Sequence, residues 1–170
     1  MTTTVLRRGA ALAAGAATAA TTLHLYTHNR PSLSLEAPKA NGIVTESIVL
    51  KDGRRLAFAK RGDGDVPVFA FHGMGSSHLT WTTKPELPLS QLCSDVSLIS
   101  VDRPGYGDSS PPPAGYSYAQ WTDDVAQLAD ALGVKRFCVV GHSSGGPYAL
   151  AAAALLPERV VACAAVASDP

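Results

Sequence analysis

The sequence predicts an α/β fold built on an open, mostly parallel β-sheet with flanking helices. Four short apolar runs support this prediction, and they begin at Val66, Val96, Arg136 and Val160. These runs do not alternate apolar with polar residues, which is typical of strands buried on both faces of a parallel sheet. Helical patterns lie between the runs. Strands that alternate with helices indicate right-handed crossovers within a single sheet.

The first predicted element is an antiparallel hairpin. The segment TESIVL begins at Thr45, Asp52-Gly53 follows, and RRLAFA begins at Arg54. An Asp-Gly pair between two segments of β-forming residues favours a tight turn. We therefore expect two antiparallel strands ahead of the parallel ones.

The clearest helix pattern lies between Ser117 and Gly133. Ser117 and Gln120 have the spacing of a capping box, and a glycine such as Gly133 commonly follows a helix end. One apolar stripe runs along this segment: Trp121, Val125, Leu128, Ala129 and Leu132. The stripe predicts an amphipathic helix with Trp121 in the core. We expect Asp123 and Asp124 on its solvated face.

Two further helical segments are expected. The residues after Ser143 form an apolar stretch that Pro147 can start and Pro157 can stop. The segment from Thr80 to Cys93 is predicted to be helical in part.

The N-terminal residues 1–28 are predicted to be a targeting or anchor segment. The first 35 residues contain three arginines and no acidic residue, and Ala and Thr dominate them. This composition fits a transit peptide for a mitochondrion or plastid, a secretory signal or membrane anchor, or a disordered tail. Membrane association would act through this segment. Residues 29–44 form a predicted linker, and residues 45–170 form the folded part.

The composition excludes several classes of protein. The formal net charge is zero, and the basic residues form no cluster that would bind nucleic acid. Cys93, Cys138 and Cys163 are far apart and lack metal-binding spacing, so we expect no metal site, no disulfide framework and no cofactor. Cys138 and Cys163 lie inside apolar runs, and both are expected to be small buried side chains.

Three polar stretches follow predicted strands, where open α/β sheets form their sites. They are FHGMGSS from Phe71, VDRPGYGDSS from Val101 and GHSSGG from Gly141. In the third, Ser143 has a glycine two positions away on either side, as a sharp strand-to-helix turn that presents a nucleophile requires. On such a turn the N–H of Ser144 faces a developing oxyanion. The same five residues also fit an ordinary loop of small residues.

Taken together, these stretches resemble the α/β-hydrolase fold superfamily, in its esterase, lipase and peroxidase-like branch. HGMG is similar to the oxyanion loop after the third strand, and DRPGYGDSS to the loop after the fourth. GHSSGGPYALAAAALLPERV is similar to the nucleophile elbow and its helix. The resemblance covers about residues 45–170 and implies a serine hydrolase acting on ester-like or related carbonyl substrates through an acyl-enzyme.

The resemblance also implies residue roles. Ser143 is the nucleophile, and the backbone N–H groups of Met74 and Ser144 form the oxyanion hole. It implies loop-supporting roles for His72, Asp102 and Arg103, and a ring at His142 that turns away from the nucleophile. A serine at position 143 argues against the branches that use an aspartate nucleophile, such as haloalkane dehalogenases and most epoxide hydrolases.

The sequence has no residue at the position where the resemblance would place the catalytic base. In this family the acid and then the histidine follow the serine along the chain, but no histidine follows Ser143. Asp169 is a candidate acid at the end of the sixth predicted strand. The resemblance therefore extends only to the N-terminal part of the fold, truncated after about the sixth strand, and we expect this chain alone to be inactive.

An alternative is a non-catalytic protein of the same fold that binds a ligand. Either reading gives the protein a small-molecule partner. The sequence contains no pattern that identifies that molecule or the oligomeric state.

Overall fold

The structure, a computed structural model, describes residues 44–82 and 94–169. Within these ranges the chain forms one sheet with helices packed against it. The strands are β1 (Thr45–Val49), β2 (Arg55–Arg61), β3 (Val66–Phe71), β4 (Val96–Val101), β5 (Phe137–His142) and β6 (Val160–Val166), and the helices are α1 (Leu79–Thr82), α2 (Tyr118–Ala131) and α3 (Gly146–Leu155).

The sheet has the strand order β1-β2-β4-β3-β5-β6. Strands β3, β4, β5 and β6 run parallel to their neighbours, whereas β1 pairs antiparallel with β2 and β2 pairs antiparallel with β4. This confirms the predicted open, mostly parallel sheet and the hairpin that precedes it. β3 lies between β4 and β5, although it precedes both along the chain.

Helix α2 forms as its sequence pattern predicts. The Ser117 hydroxyl accepts a hydrogen bond from the Gln120 N–H, and the Gln120 side chain accepts one from the Ser117 N–H, so the capping box is complete. The apolar stripe faces the sheet, and Trp121 is fully buried. Its ring meets Phe71 of β3 edge to face, with centroids 5.0 Å apart. This contact fixes the helix against the centre of the sheet.

The interpretation of Asp124 as a solvated side chain is wrong. Asp124 is buried, and both of its carboxylate oxygens accept hydrogen bonds from the Arg54 guanidinium at 2.7 and 2.8 Å. The Tyr116 hydroxyl donates to the same carboxylate at 2.5 Å. Arg54 lies at the end of the hairpin turn, 70 residues before Asp124. The apolar periodicity of a helix shows which side faces the sheet, but not which distant residue pairs with a polar position. Asp123 is exposed, as expected.

Strand β6 differs from the prediction for a strand buried on both faces. Val161 and Val166 are 56% and 49% exposed. β6 is the last strand of the sheet, and within the described ranges no element lies beyond it. For the same reason Cys163 on β6 is exposed, so the expectation of a buried side chain is wrong for Cys163. Cys138 on β5 is partly buried.

Several predictions concern residues outside the described ranges. They are the targeting or anchor segment 1–28, nearly all of the linker 29–44, and the part of the predicted helical segment that follows Thr82, including Cys93. In the part of the chain that the structure describes, no helix has the length and apolarity needed to cross a membrane.

Candidate active site

The three polar stretches meet at one edge of the sheet. β3, β4 and β5 are parallel neighbours, and they end at Phe71, Val101 and His142. The residues that follow these strands are therefore brought to the same carboxyl edge, where sites of open α/β sheets form. The order β4-β3-β5 places the stretch after β3 between the other two.

Ser143 stands on a strained turn between β5 and α3. Its φ of 52° lies in the left-handed region, which costs a non-glycine residue about 1–2 kcal/mol. Residues 143–145 form one 3₁₀ turn, and α3 continues directly from it. We call residues 141–145 the elbow. Backbone strain of this kind at a strand-to-helix junction is typical of a turn that presents a nucleophile.

The two flanking glycines are required by close backbone contacts. A Cβ atom on Gly141 would collide with the carbonyl group of Gly145 across the turn. A Cβ atom on Gly145 would collide with the carbonyl oxygen of Phe71 at the end of β3. The elbow is therefore folded tightly on itself and pressed against the central strand, which explains the Gly-x-Ser-x-Gly spacing.

The loop after β3 lies directly beside Ser143. A Cβ atom on Gly73 would be 3.2 Å from the Cβ atom of Ser143. Met74 follows and is 76% exposed, and the resemblance assigns its backbone N–H to the oxyanion hole. On the other side of Ser143, Ser144 lies in the first turn before α3, where N–H groups lack helical partners. Both expected oxyanion donors thus belong to segments that border Ser143.

His72 is a buried link between two loops. Its Nδ1 atom is 2.8 Å from the carbonyl oxygen of Gly73, and its Nε2 atom accepts a hydrogen bond from the N–H of Arg103 at 3.1 Å. Burial lowers the pKa of His72. The neutral ring fits both contacts, because Nδ1 donates while Nε2 accepts. His72 thereby ties the loop after β3 to the loop after β4.

Asp102 is a second link, fully buried, and its partner His78 was missed in the sequence. The carboxylate accepts hydrogen bonds from the His78 N–H at 2.7 Å, the His78 Nδ1 at 2.9 Å and the Asp108 N–H at 3.0 Å. Burial raises the pKa of Asp102, but these hydrogen bonds outweigh it and leave the pKa below its usual value. No local pattern distinguishes His78, because it gains its partner only when β3 and β4 pair.

Arg103 reaches from the loop after β4 to the elbow. Its guanidinium donates hydrogen bonds to the carbonyl oxygen and the hydroxyl of Ser144, both at 3.2 Å. The same group lies over the rings of Tyr106 and Tyr148, 4.8 and 4.7 Å from their centroids. The sequence indicated a loop-supporting role for Arg103 but not the contact with Ser144, which is 41 residues away.

His142 and Asp169 lie close to the elbow. The His142 side chain is exposed, and its Nδ1 atom is 3.5 Å from the position of a Cβ atom on Gly73, the glycine that also borders Ser143. The expectation that this ring turns away gains no support from that placement. The Asp169 N–H lies 3.4 Å from the carbonyl oxygen of Ser143, which brings the chain beyond β6 next to Ser143. The Asp169 side chain is exposed.

A small cleft of about 250 Å³ opens at the first turns of α2 and α3. It is lined by Tyr116, Ser117, Tyr118 and Tyr148. The ring of Tyr148 also lies beside the Arg103 guanidinium, which contacts Ser144 of the elbow. Three of the four residues that line the cleft are thus aromatic, and one of them is linked to the elbow through Arg103.

Comparison with known proteins identifies relatives among enzymes. The chain is 36% identical over 115 residues to the dihydrolipoyllysine-residue acetyltransferase component of the acetoin cleaving system of Cupriavidus necator, covering 68% of this chain and 30% of that protein. It is 38% identical over 96 residues to a serine hydrolase-like protein of Danio rerio, covering 55% and 28%. An epoxide hydrolase from an endophytic Streptomyces superposes with a TM-score of 0.64 at 28% identity, covering 74% and 37%.

The chain thus spans less than half the length of each of these proteins. The family model for the alpha/beta hydrolase fold matches residues 66–170, which include the elbow and all three strand-end stretches. The fold, the order of the motifs and this match agree, and the chain belongs to the α/β-hydrolase family.

Proposed function

We propose that this protein is a serine hydrolase that acts on a small molecule with an ester-like or related carbonyl group. The observation that carries the proposal is the left-handed Ser143 on the elbow, with Gly73 of the loop after β3 against it. In the proposal, the Ser143 hydroxyl is the nucleophile and the backbone N–H groups of Met74 and Ser144, on the two segments that border it, stabilise the oxyanion. A nucleophile and such donors are two of the parts that acyl transfer requires, and a base is the third.

The reaction would proceed through an acyl-enzyme. The Ser143 oxygen bonds to the carbonyl carbon while a base takes the serine proton, and the carbonyl oxygen becomes an oxyanion that accepts hydrogen bonds from Met74 and Ser144. The bond to the leaving alkoxide then breaks, and the alkoxide takes the proton from the base. Water repeats these steps on the acyl group and frees Ser143.

The base is the part of this proposal that the described residues support least. His72 and His78 each have both ring nitrogens in contact with other groups. His142 is exposed beside the elbow, and the resemblance implies that its ring turns away from Ser143. We therefore propose that turnover needs an imidazole from outside the described ranges, with Asp169 as the acid that orients it. Without a base the serine proton stays in place, and loss of triad members costs on the order of 10⁶ in turnover.

The relatives differ in how strongly they support the proposed attack of Ser143 on a carbonyl group. The Danio rerio protein is named as serine hydrolase-like. The Streptomyces protein is an epoxide hydrolase, a class in which most members use an aspartate nucleophile, and position 143 here is a serine. This difference favours attack on a carbonyl group over epoxide opening.

A second candidate is a non-catalytic binding protein. The observation that favours it is that His72 and His78 are both committed to structural contacts. In that case the aromatic cleft at Tyr148 would serve as the ligand site and Ser143 would be a turn residue. The two candidates differ in whether Ser143 is chemically reactive.

The test is single-hit labelling of the full chain with an alkyl fluorophosphonate at pH 9, with the site identified by peptide mass spectrometry. One labelling event needs no turnover, and the high pH partly replaces the missing base. We expect one phosphonyl group per chain on Ser143, none on that site in Ser143→Ala, and unchanged labelling in Ser94→Ala. Ser94 is a matched control because it is an exposed serine away from the elbow.

Labelling that is absent, or that is unchanged in total in Ser143→Ala, would refute the serine hydrolase and favour the binding protein. A His142→Gln variant extends the test. We expect it to label at the parent rate, and slower labelling would identify His142 as the base instead of an imidazole outside the described ranges.

A further inference from the structure

Arg103 has a charge that its surroundings do not balance. Its side chain is almost completely buried, at 4% exposure. In the described part of the chain the guanidinium forms no ion pair, and its Nε atom has no hydrogen-bond partner. The neighbouring carboxylate of Asp102 is occupied by His78 and Asp108. Burying a charge without a counter-charge costs folding free energy. We therefore look for a role of the Arg103 hydrogen bonds that an apolar side chain could not fill.

The contacts of the Arg103 side chain are concentrated on one residue. Two of its nitrogen atoms hold Ser144, one at the carbonyl oxygen and one at the hydroxyl. The rings of Tyr106 and Tyr148 enclose the guanidinium and allow it little movement. A charged fork that grips a residue at two points restricts its backbone and side-chain rotation together. Arg103 therefore restrains Ser144 at its carbonyl group and its side chain, and it acts on the Ser144 N–H, which belongs to the preceding peptide, through the backbone of that residue.

The backbone of Arg103 holds the other side of the site. Its N–H donates to Nε2 of His72, and Nδ1 of the same ring contacts the carbonyl oxygen of Gly73. Met74 is the next residue. One residue in the loop after β4 is thus connected to both segments that carry the expected oxyanion donors, through its backbone to Met74 and through its side chain to Ser144.

We propose that Arg103 is the positioning residue that sets the distance between the two oxyanion donors, Met74 N–H and Ser144 N–H. This inference rests on the proposed function, because the donors matter only if Ser143 attacks a carbonyl or phosphonyl centre. Arg103 touches neither Ser143 nor the reacting atoms in this scheme. It acts through Ser144 on one side and His72 on the other.

The side-chain half of this link can be removed by substitution. Arg103→Met keeps a flexible side chain between the two tyrosine rings and removes the charge and both hydrogen bonds. Loss of a complete oxyanion donor lowers rates about 10²–10³-fold. A donor that is present but misoriented should cost less, and we expect a fall of about tenfold in the rate of phosphonylation of Ser143, measured on the full chain.

The experiment separates binding from the bond-forming step. Labelling rates at several reagent concentrations give the dissociation constant of the reagent and the maximal labelling rate. We expect Arg103→Met to lower the maximal rate and leave the dissociation constant unchanged, with Arg103→Lys between the two because it keeps the charge but not the fork. A purely structural defect would instead lower the urea midpoint without this split.

Arg55→Met is the matched control. Arg55 also holds the loop after β4, through a 2.8 Å hydrogen bond from its Nε to the carbonyl oxygen of Asp108, but it is exposed and does not contact Ser144. It should label at the parent rate. A parent-like maximal rate in Arg103→Met, with the parent labelled at Ser143, would overturn the role of Arg103 alone.

Absence of labelling in the parent chain would instead overturn the proposed function, and this inference with it. If Arg103→Met does not fold, Arg103→Lys decides the question. A maximal rate about threefold or more below the parent supports the positioning role, and an unchanged rate in folded Arg103→Lys overturns it.

Discussion

The carboxyl ends of β3, β4 and β5 differ sharply from β6, although β5 and β6 are paired along their whole length. The three strand ends are joined by buried side chains that reach from loop to loop, with His72, Asp102 and Arg103 all buried. Within the residues that the structure describes, β6 has no comparable cover. Val139 of β5 is 2% exposed, whereas Val161 of β6 is 56% exposed.

The buried links at the strand ends are distinct from the exposed face of β6. The side-chain links between the elbow and the loops after β3 and β4 come from Arg103 and His72. β6 borders the elbow through its backbone pairing with Gly141 and His142. Substitutions at the strand ends should therefore lower the unfolding free energy strongly, whereas substitutions on β6 should lower it only slightly.

The largest effect is expected for Gly141→Ala. Its methyl group would meet backbone atoms of the elbow, which cannot move aside as a side chain can. Overpacking of this kind costs about 3 kcal/mol or more of unfolding free energy. Gly133→Ala is the control, because Gly133 also has a positive φ, 69°, but has open space around it. The control should cost about 1–2 kcal/mol. Urea unfolding measures both, and equal losses would mean that the elbow is looser than described.

A pair of valines tests the comparison directly. Val139→Ala removes buried methyl groups from β5 and should cost about 2 kcal/mol of unfolding free energy. Val161→Ala changes the neighbouring strand at an exposed position and should cost no more than about 0.5 kcal/mol. Chemical denaturation of the full chain gives both values. A loss at Val161 as large as that at Val139 would show that the outer side of β6 is covered in solution.

The smallest effect concerns pH. Burial lowers the pKa of His72 from its ordinary value of 6.5, so the unfolded chain takes up the proton at a higher pH than the folded one. The stability from neutral His72 is fully present above about pH 6.5 and is lost as the pH falls toward the folded pKa. His72→Gln removes this titration while keeping an acceptor for the Arg103 N–H.

The measurement is the unfolding free energy at pH 7.5 and pH 5.5 for the parent and for His72→Gln. The parent should lose more stability between the two pH values than the variant does. Equal losses would show that His72 does not titrate differently in the folded and unfolded chains.

The sequence predicts those features that depend on local order. The hairpin turn at Asp52-Gly53, the capping box at Ser117, the stripe led by Trp121 and the glycine spacing around Ser143 are all properties of neighbouring residues. The order of the motifs was enough to predict the family. The nucleophile and oxyanion roles of Ser143, Met74 and Ser144, and the acid role of Asp169, stay predictions that the labelling experiment addresses.

The missed features are contacts between distant segments. Asp124 pairs with Arg54 across 70 residues, and Asp102 pairs with His78 across 24. Each acid looks like an ordinary surface or loop residue in its own neighbourhood. For β6 the sequence predicted burial that the structure does not show. An apolar run indicates that a strand can be buried, but not that another element packs on it.

The position of β3 has a consequence for synthesis of the chain. β3 is made before both of its neighbours, and its residues pair with β4 on one side and with β5 on the other. β5 ends 71 residues after β3, at His142 against Phe71. At about 5–20 residues per second, roughly 4–14 seconds pass on the ribosome before β3 can pair on that side.

During that interval the apolar segment VPVFAF has an open hydrogen-bonding edge. We therefore expect the nascent chain to be prone to pairing with another copy during this interval. Because β3 lies at the centre of the sheet, we expect the yield of folded protein to depend on translation speed between β3 and β5.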